Sequence, residues 1–81
     1  MAKSSGEWGF QVERISVEDV ENFLNAVKGN KLVEQAGIMA KYVTEAPAEA
    51  LSAEGLAKMP FKEFLRGRDQ FSNELGDLAK N

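Results

Sequence analysis

The chain has 81 residues and a mass of 8.9 kDa, which limits it to one small domain with a single core. It contains no cysteine and no histidine, which excludes disulfides, thiol nucleophiles, imidazole catalysis and metal sites built from either side chain. The net charge of −3 is spread evenly, with four basic against six acidic residues in 1–40 and six against seven in 41–81. A dedicated nucleic-acid-binding protein normally carries a strong positive charge, so this balance argues against that class.

The N-terminal segment and the lengths of the apolar runs indicate the cellular compartment of the protein. Residues 1–7 are small and polar, and we expect a mobile tail there and no signal peptide. The apolar runs are a few residues long, far below the ~18 that a membrane-spanning helix needs. The sequence therefore predicts a cytoplasmic protein of one small helical domain, residues 1–81, without a membrane span.

An alternating segment follows the tail. Trp8, Phe10 and Val12 are separated by Gly9 and Gln11, which is the period-two pattern of a β-strand over residues 8–13. No second segment shows this pattern convincingly, and a lone strand leaves its backbone donors and acceptors without partners. We therefore predict an extended N-terminal arm that either covers the chain's own helices or pairs with another chain.

The first helix has clear signals at both ends. Ser16 can cap a helix, with Asp19 at the third helical position, and Gly29 provides a stop. Between these ends, apolar residues recur at helical spacing, at Val20, Phe23, Leu24 and Val27. The pattern predicts a helix over residues 17–28.

The middle of the chain is less regular. Asn30 can cap a second helix over residues 31–45, which Pro47 ends because a residue before proline is disfavoured in a helix. The alanine-rich stretch Ala46–Ala57 is either a short helix, with Ser52 as its cap, or a linker. These signals leave the structure of this stretch open.

The last helix starts near Pro60 and carries a long apolar face. The face consists of Phe61, Phe64, Leu65, Phe71, Leu75, Leu78 and Ala79. Gly67 and Gly76 each weaken a helix by about 1 kcal/mol relative to alanine, so a break or bend near Gly67 is expected.

These elements predict an all-α fold, a small bundle of three to four helices with an extended N-terminal arm. The predicted core consists of Phe23, Leu24, Val27, Val43, Phe64, Phe71 and Leu75. The same apolar face at 61–79 could instead form the seam of a homodimer.

Carboxylates are the main remaining candidates for catalysis. Pairs at helical spacing are Glu18 with Glu21, Glu45 with Glu49, and Glu74 with Asp77. Acid–base chemistry needs burial that separates the two pKa values, whereas these pairs fall on polar helix faces. The chain also has neither a glycine-rich phosphate loop nor a glycine-centred loop of oxygen ligands for a metal ion. We therefore predict a protein that is not an enzyme and has no metal or other cofactor.

The arm and one basic helix face are the candidate binding residues. Trp8, Phe10 and Val12 lie outside any helical period and need a surface to cover, either on the chain itself or on a partner. Lys58, Lys62 and Arg66 recur every four residues and could form a basic ridge that docks an acidic partner, a phosphate or a membrane surface. The sequence favours the alternative, in which they form ordinary surface pairs with nearby acidic residues.

These residues predict a non-catalytic binding or accessory protein that docks onto a larger protein complex, or regulates it, through the arm and a helix face. The alternative is a small dimeric regulator that binds DNA through a helix-turn-helix made of helices 17–28 and 31–45. The second helix would then present Lys31, Glu34, Gln35 and Lys41 to DNA, a set poor in the side chains that read bases. Nucleic acid is therefore not the predicted partner.

Overall fold

The computed structural model describes residues 8–47 and 51–80 of the chain. Within them the chain forms four α-helices, a 3₁₀ turn and a two-stranded antiparallel sheet, so the predicted helical bundle with an N-terminal arm is confirmed. The elements are β1 (Gly9–Phe10), the 3₁₀ turn (Val12–Arg14), α1 (Val17–Lys28), α2 (Leu32–Met39), β2 (Val43–Glu45), α3 (Ala53–Lys58) and α4 (Phe61–Lys80). The predicted mobile tail, residues 1–7, lies outside the described residues.

Helix α1 has the predicted bounds, and its start is capped as the sequence indicates. The Ser16 hydroxyl oxygen accepts a hydrogen bond from the Asp19 backbone N–H at 3.0 Å, which satisfies a donor of the first turn. Phe23 and Ala26 are buried, but Leu24 is 58% exposed, so its assignment to the core is wrong. The reason is geometric, because Leu24 lies about 100° further round the helix than its buried neighbour.

The end of α1 differs in one detail from the prediction. The Lys31 N–H donates to the Ala26 carbonyl at 2.8 Å, and the Asn30 N–H donates to the Val27 carbonyl at 3.1 Å. This pair of bonds is a Schellman motif, whose left-handed residue here is Asn30, with φ of 57°. Asn30 therefore ends α1 and does not cap α2, while Gly29 has an ordinary φ of −90°.

Helix α2 stops at Met39, six residues before the predicted end, because the next segment pairs with the arm. Strand β2 runs antiparallel to β1, with Phe10 opposite Val43, and the Gln11 N–H donates to the Tyr42 carbonyl at 2.8 Å. The arm's strand is two residues long, and Val12 already begins the 3₁₀ turn. The chain itself thus supplies the strand partner that the sequence pattern failed to show.

The second half of the described chain is helical. Ser52 caps α3 as predicted, and its hydroxyl oxygen accepts a hydrogen bond from the Gly55 N–H at 3.0 Å. Residues 48–50, part of the stretch left open above, lie outside the described residues. Helix α4 continues through Gly67 without a break over 20 residues, a length of about 30 Å.

The core lies where the arm, α1, α2, α3 and α4 meet. Its buried members are Trp8, Val12, Phe23, Ala36, Met39, Leu56, Phe64 and Phe71. The Phe71 ring contacts Phe10 at 4.9 Å and Phe23 at 4.8 Å between ring centroids, and so joins the arm to α1. Gln35 is also fully buried, and its Nε2 donates to the Ala26 carbonyl at 3.1 Å, which fixes α2 against α1.

Candidate docking surface

The aromatic arm, predicted to bind a partner, packs against the chain's own helices. Trp8 is 7% exposed and Val12 is 8% exposed, while Phe10 is half-buried and stacks on Trp8 at 5.8 Å. Of the two arrangements predicted for the arm, this is the one in which it covers the chain's own helices. Binding of a partner by Trp8 or Val12 would require the arm to leave the core.

A glycine in α4 makes this packing possible. A Cβ atom added at Gly67 would lie 2.5 Å from Cε2 of the Trp8 indole, far inside van der Waals contact. The indole therefore lies directly on the helix backbone. Gly67 weakens the helix, but it provides the space that the Trp8 side chain of the arm occupies. The Trp8 Nε1 atom is buried and has no hydrogen-bond partner among the described residues.

The basic residues of α4 are accessible. Lys62 and Arg66 are exposed, and neither forms an ion pair within the described part of the chain. Lys58, the third member of the predicted basic ridge, pairs with Glu54 at 3.1 Å, as expected for ordinary surface pairing. Two of the three cations thus remain available for a partner.

An apolar groove at the start of α4 was not predicted from the sequence. It is bounded by α2, α3 and the start of α4 and has a volume of about 230 Å³. Its lining consists of Leu32, Val33, Ala36, Leu56, Ala57, Met59, Phe61 and Phe64. Val33 is 71% exposed and Phe61 is 58% exposed, so both offer apolar surface to a partner.

The size and chemistry of the groove suit one large apolar side chain. A cavity of roughly 150 Å³ lined by aliphatic and aromatic residues accepts benzene, and this groove is larger. Full burial of a Leu, Met or Phe side chain from a partner would contribute about 1.5–3 kcal/mol. The helical period places Phe61 about 60–80° away from the line of Phe64 and Phe71, which was the available sequence signal for an outward-facing aromatic ring.

Helix α1 carries the comparable apolar surface outside the groove. Val17 and Leu24 are both well exposed, and neither lines the groove. Leu24 has the same exposed fraction as Phe61. This match makes Leu24 a suitable control for any effect of changing Phe61.

A polar cluster around the buried Asp19 joins α1 to the turn before β2. The Asp19 carboxylate accepts hydrogen bonds from the Tyr42 hydroxyl at 2.5 Å and from Lys41 Nζ at 3.2 Å. The Tyr42 hydrogen bond, assisted by Lys41 and opposed by burial, lowers the pKa of Asp19 below its ordinary value. The same hydrogen bond, together with burial, raises the pKa of Tyr42. Both shifts move away from neutral pH, which suits a structural role and not acid–base catalysis.

Two of the four polar side chains that the DNA-binding alternative needs are not available to contact DNA. Gln35 is fully buried, and Lys41 lies beyond the end of α2 with its ammonium group on Asp19. The exposed side chains of α2 include Val33 and Glu34, which suit neither phosphate nor base contacts. No feature of α2 in this structure favours the DNA-binding alternative.

Comparisons with known proteins add no relative, since no family model, curated protein or solved structure matches this chain. In residues 8–47 and 51–80, no helix combines the length and hydropathy needed to cross a bilayer. Within the same residues, no three acidic side chains come together as a metal site would require. The groove with its exposed Phe61 ring is the candidate docking site, and the exposed Lys62 and Arg66 are separate candidates on another side of α4.

Proposed function

We propose that this protein is a small non-catalytic accessory protein that docks onto a larger cytoplasmic protein assembly through a helix face. The main docking surface is the groove between α2, α3 and the start of α4. Lys62 and Arg66, which are exposed about 100–160° round α4 from Phe61 and Phe64, are proposed as a second contact. The observation that carries the proposal is the exposed Phe61 ring at an open apolar groove.

The composition of this surface resembles that of a binding interface. Aromatic and aliphatic anchors that lie next to a pocket supply most of the affinity in protein complexes, and polar groups around them add specificity. Phe61 and Val33 fit the role of anchors. The arm then contributes indirectly, because Trp8 and Val12 stabilise the helices that form the groove.

The test compares two variants of equally exposed apolar residues. Phe61→Ser removes the proposed anchor, and Leu24→Ser makes the matched change on α1, outside the groove. Each variant replaces the natural chain in the source cells, and gel filtration of a gentle lysate with antibody detection gives its native size. Circular dichroism of the purified variants checks that both remain folded.

We expect the natural chain and Leu24→Ser to elute far above monomer size and Phe61→Ser to elute as a monomer. Elution of the natural chain as a monomer or dimer would contradict the proposal. So would an unchanged large size for Phe61→Ser. A shift of both variants would point to a contact that also uses α1.

A further inference from the structure

We infer that a second cavity, between the 3₁₀ turn and the start of β2, binds a phosphate group, either as free phosphate or as part of a small phosphorylated molecule. The cavity has a volume of about 330 Å³, and its lining consists of Gln11, Arg14, Lys41, Tyr42, Val43 and Thr44. It shares no lining residue with the groove, so this inference goes beyond the proposed docking function and does not depend on it.

The fold brings two cations from distant parts of the sequence to this cavity. Arg14 ends the 3₁₀ turn, and Lys41 lies in the turn between α2 and β2. The Gln11 N–H donates to the Tyr42 carbonyl at 2.8 Å, and this hydrogen bond joins the two segments directly at the cavity. The buried Val12 anchors the 3₁₀ turn in the core. The backbone that carries both cations is therefore held in place by the fold.

The charges at the cavity favour an anion. None of its lining residues, all of which belong to the described part of the chain, is acidic. Arg14 is exposed and forms no ion pair with the other described residues, so its guanidinium group is available to a ligand.

The second cation is partly neutralised. The Lys41 ammonium group contacts the Asp19 carboxylate at 3.2 Å, which fixes its position and reduces its attraction for another anion. Asp19 itself is buried and does not line the cavity, so an anion that enters meets Lys41 and not the carboxylate. We therefore expect Arg14 to contribute most of the affinity and Lys41 a smaller part.

The donor groups at the cavity suit a phosphate better than a carboxylate. They are a guanidinium fork, an ammonium group, an amide and a hydroxyl, on Arg14, Lys41, Gln11 and Thr44. A carboxylate has two oxygens for these donors, whereas a phosphate group has at least three and carries more charge at neutral pH. A cavity of roughly 150 Å³ accepts benzene, so this larger cavity also has room for a small group attached to the phosphate.

The test titrates the full, isotope-labelled chain with inorganic phosphate and with glycerol phosphate, at constant pH and ionic strength. Acetate and glycerol are the control ligands. NMR shifts of the Thr44 backbone amide signal and of the Arg14 side-chain N–H signal report binding at the cavity. Because the chain has no histidine, no side chain with an ordinary pKa titrates near neutral pH and imitates these shifts.

Three variants separate the contributions of the cations. Arg14→Gln removes the main cation and keeps a polar side chain, and Lys41→Gln does the same for the second cation. Arg66→Gln is the matched control, because Arg66 is also exposed and does not line the cavity. The remaining amide signals show whether each variant is folded.

We expect both phosphate compounds to shift the two signals to saturation, acetate to bind at least about threefold more weakly, and glycerol to cause no shift. Arg14→Gln should weaken phosphate binding about fivefold or more, and Lys41→Gln about twofold, because Asp19 already shares the charge of Lys41. Arg66→Gln should bind phosphate as the natural chain does.

Several results would overturn the inference: no saturable shift with either phosphate compound, acetate that binds as tightly as phosphate, or unchanged phosphate binding in Arg14→Gln. An equal loss in Arg14→Gln and Arg66→Gln would also overturn it, because it would show only a general attraction by positive charge. The two phosphate compounds distinguish the source of the ligand. Tighter binding of glycerol phosphate supports a phosphorylated small molecule, and equal or weaker binding supports free phosphate.

Discussion

The packing of the Trp8 indole on Gly67 shows how a glycine, which normally destabilises a helix, can stabilise the fold as a whole. Glycine costs a helix about 1 kcal/mol relative to alanine, and α4 contains Gly67 and Gly76. Only Gly67 is covered, since nothing lies within 4 Å of a Cβ atom added at Gly76. The helix tolerates the first glycine because the buried indole requires the space.

This difference predicts opposite effects of the same substitution on one helix. Gly67→Ala forces the indole away from the helix and should lower the free energy of unfolding by about 1–3 kcal/mol, despite the better helix propensity of alanine. Gly76→Ala should raise it by up to about 1 kcal/mol. Urea denaturation followed by circular dichroism measures both. An increase in stability for Gly67→Ala would show that the arm does not sit on this residue.

The left-handed Asn30 gives a second prediction at the scale of single residues. Its φ of 57° is unfavourable for a side chain with a Cβ atom, and asparagine tolerates it better than alanine does. We expect Asn30→Ala to destabilise the fold by about 1 kcal/mol and Asn30→Gly to stabilise it slightly. Gly29→Ala is the control, because φ is −90° and the added Cβ would make only ordinary contacts, at 3.5 Å or more. The melting temperatures of the three variants test this prediction. Equal melting temperatures for the two Asn30 variants would contradict it.

At the scale of elements, the Asp19 carboxylate connects the start of α1 to the turn between α2 and β2. Its pKa is lowered by the Tyr42 hydrogen bond, so its contribution to stability is present above its ordinary pKa of 3.8 and is lost as the pH falls through the lowered value. The pKa of Tyr42 is raised, so its contribution is present below 10.0 and is lost as the pH rises through the raised value. The pair therefore stabilises the fold across the neutral range.

The Tyr42→Phe variant tests this link. Removal of a hydrogen bond to a buried carboxylate should cost about 1.5–3 kcal/mol at pH 7 and should flatten the loss of stability below pH 4. Lys41→Met should cost less, about 0.2–1 kcal/mol, because the Lys41 side chain is largely exposed. Unfolding free energies measured between about pH 2 and pH 7 compare the two. If the free energy of unfolding of Tyr42→Phe fell as steeply below pH 4 as that of the natural chain, the role assigned to the Tyr42 hydrogen bond would be contradicted.

The bounds of the helices show which features of the fold the sequence could predict and which it could not. The bounds of α1 follow from Ser16 and from the turn at Gly29, which are local signals. The end of α2 at Met39 does not, because the next residues leave the helix to pair with an arm more than 30 positions earlier. The groove was missed for the same reason, since it exists only once α3 has packed against α2. The exposure of Lys62 and Arg66 could be predicted because it follows from the period of a helix, whereas their role in binding stays a prediction.

At the scale of the whole molecule, the aromatic series that holds the arm and the exposed residues of the proposed docking surface are different sets. Trp8, Phe10, Phe71 and Phe23 form a continuous aromatic series that closes the arm over the helices. The groove uses Phe61 and Val33, which are exposed and lie outside this series. Changes in one set should therefore leave the property carried by the other set intact.

The final prediction separates the two properties. Trp8→Ala should cost about 3–5 kcal/mol, a large part of the roughly 4–12 kcal/mol available to a chain of this size. Trp8→Phe should cost less, because it keeps an aromatic ring and removes the unpaired indole N–H. Phe61→Ser should change stability by less than about 1 kcal/mol, because the ring is largely exposed.

Binding should show the opposite order. At a low temperature where Trp8→Phe is folded, it should elute with the large assembly as the natural chain does, whereas Phe61→Ser should elute as a monomer. Denaturation curves of the purified variants and gel filtration of lysates provide both measurements. If folded Trp8→Phe were released from the assembly as Phe61→Ser is, the arm would belong to the binding surface, and the division between a supporting face and a docking face would be wrong.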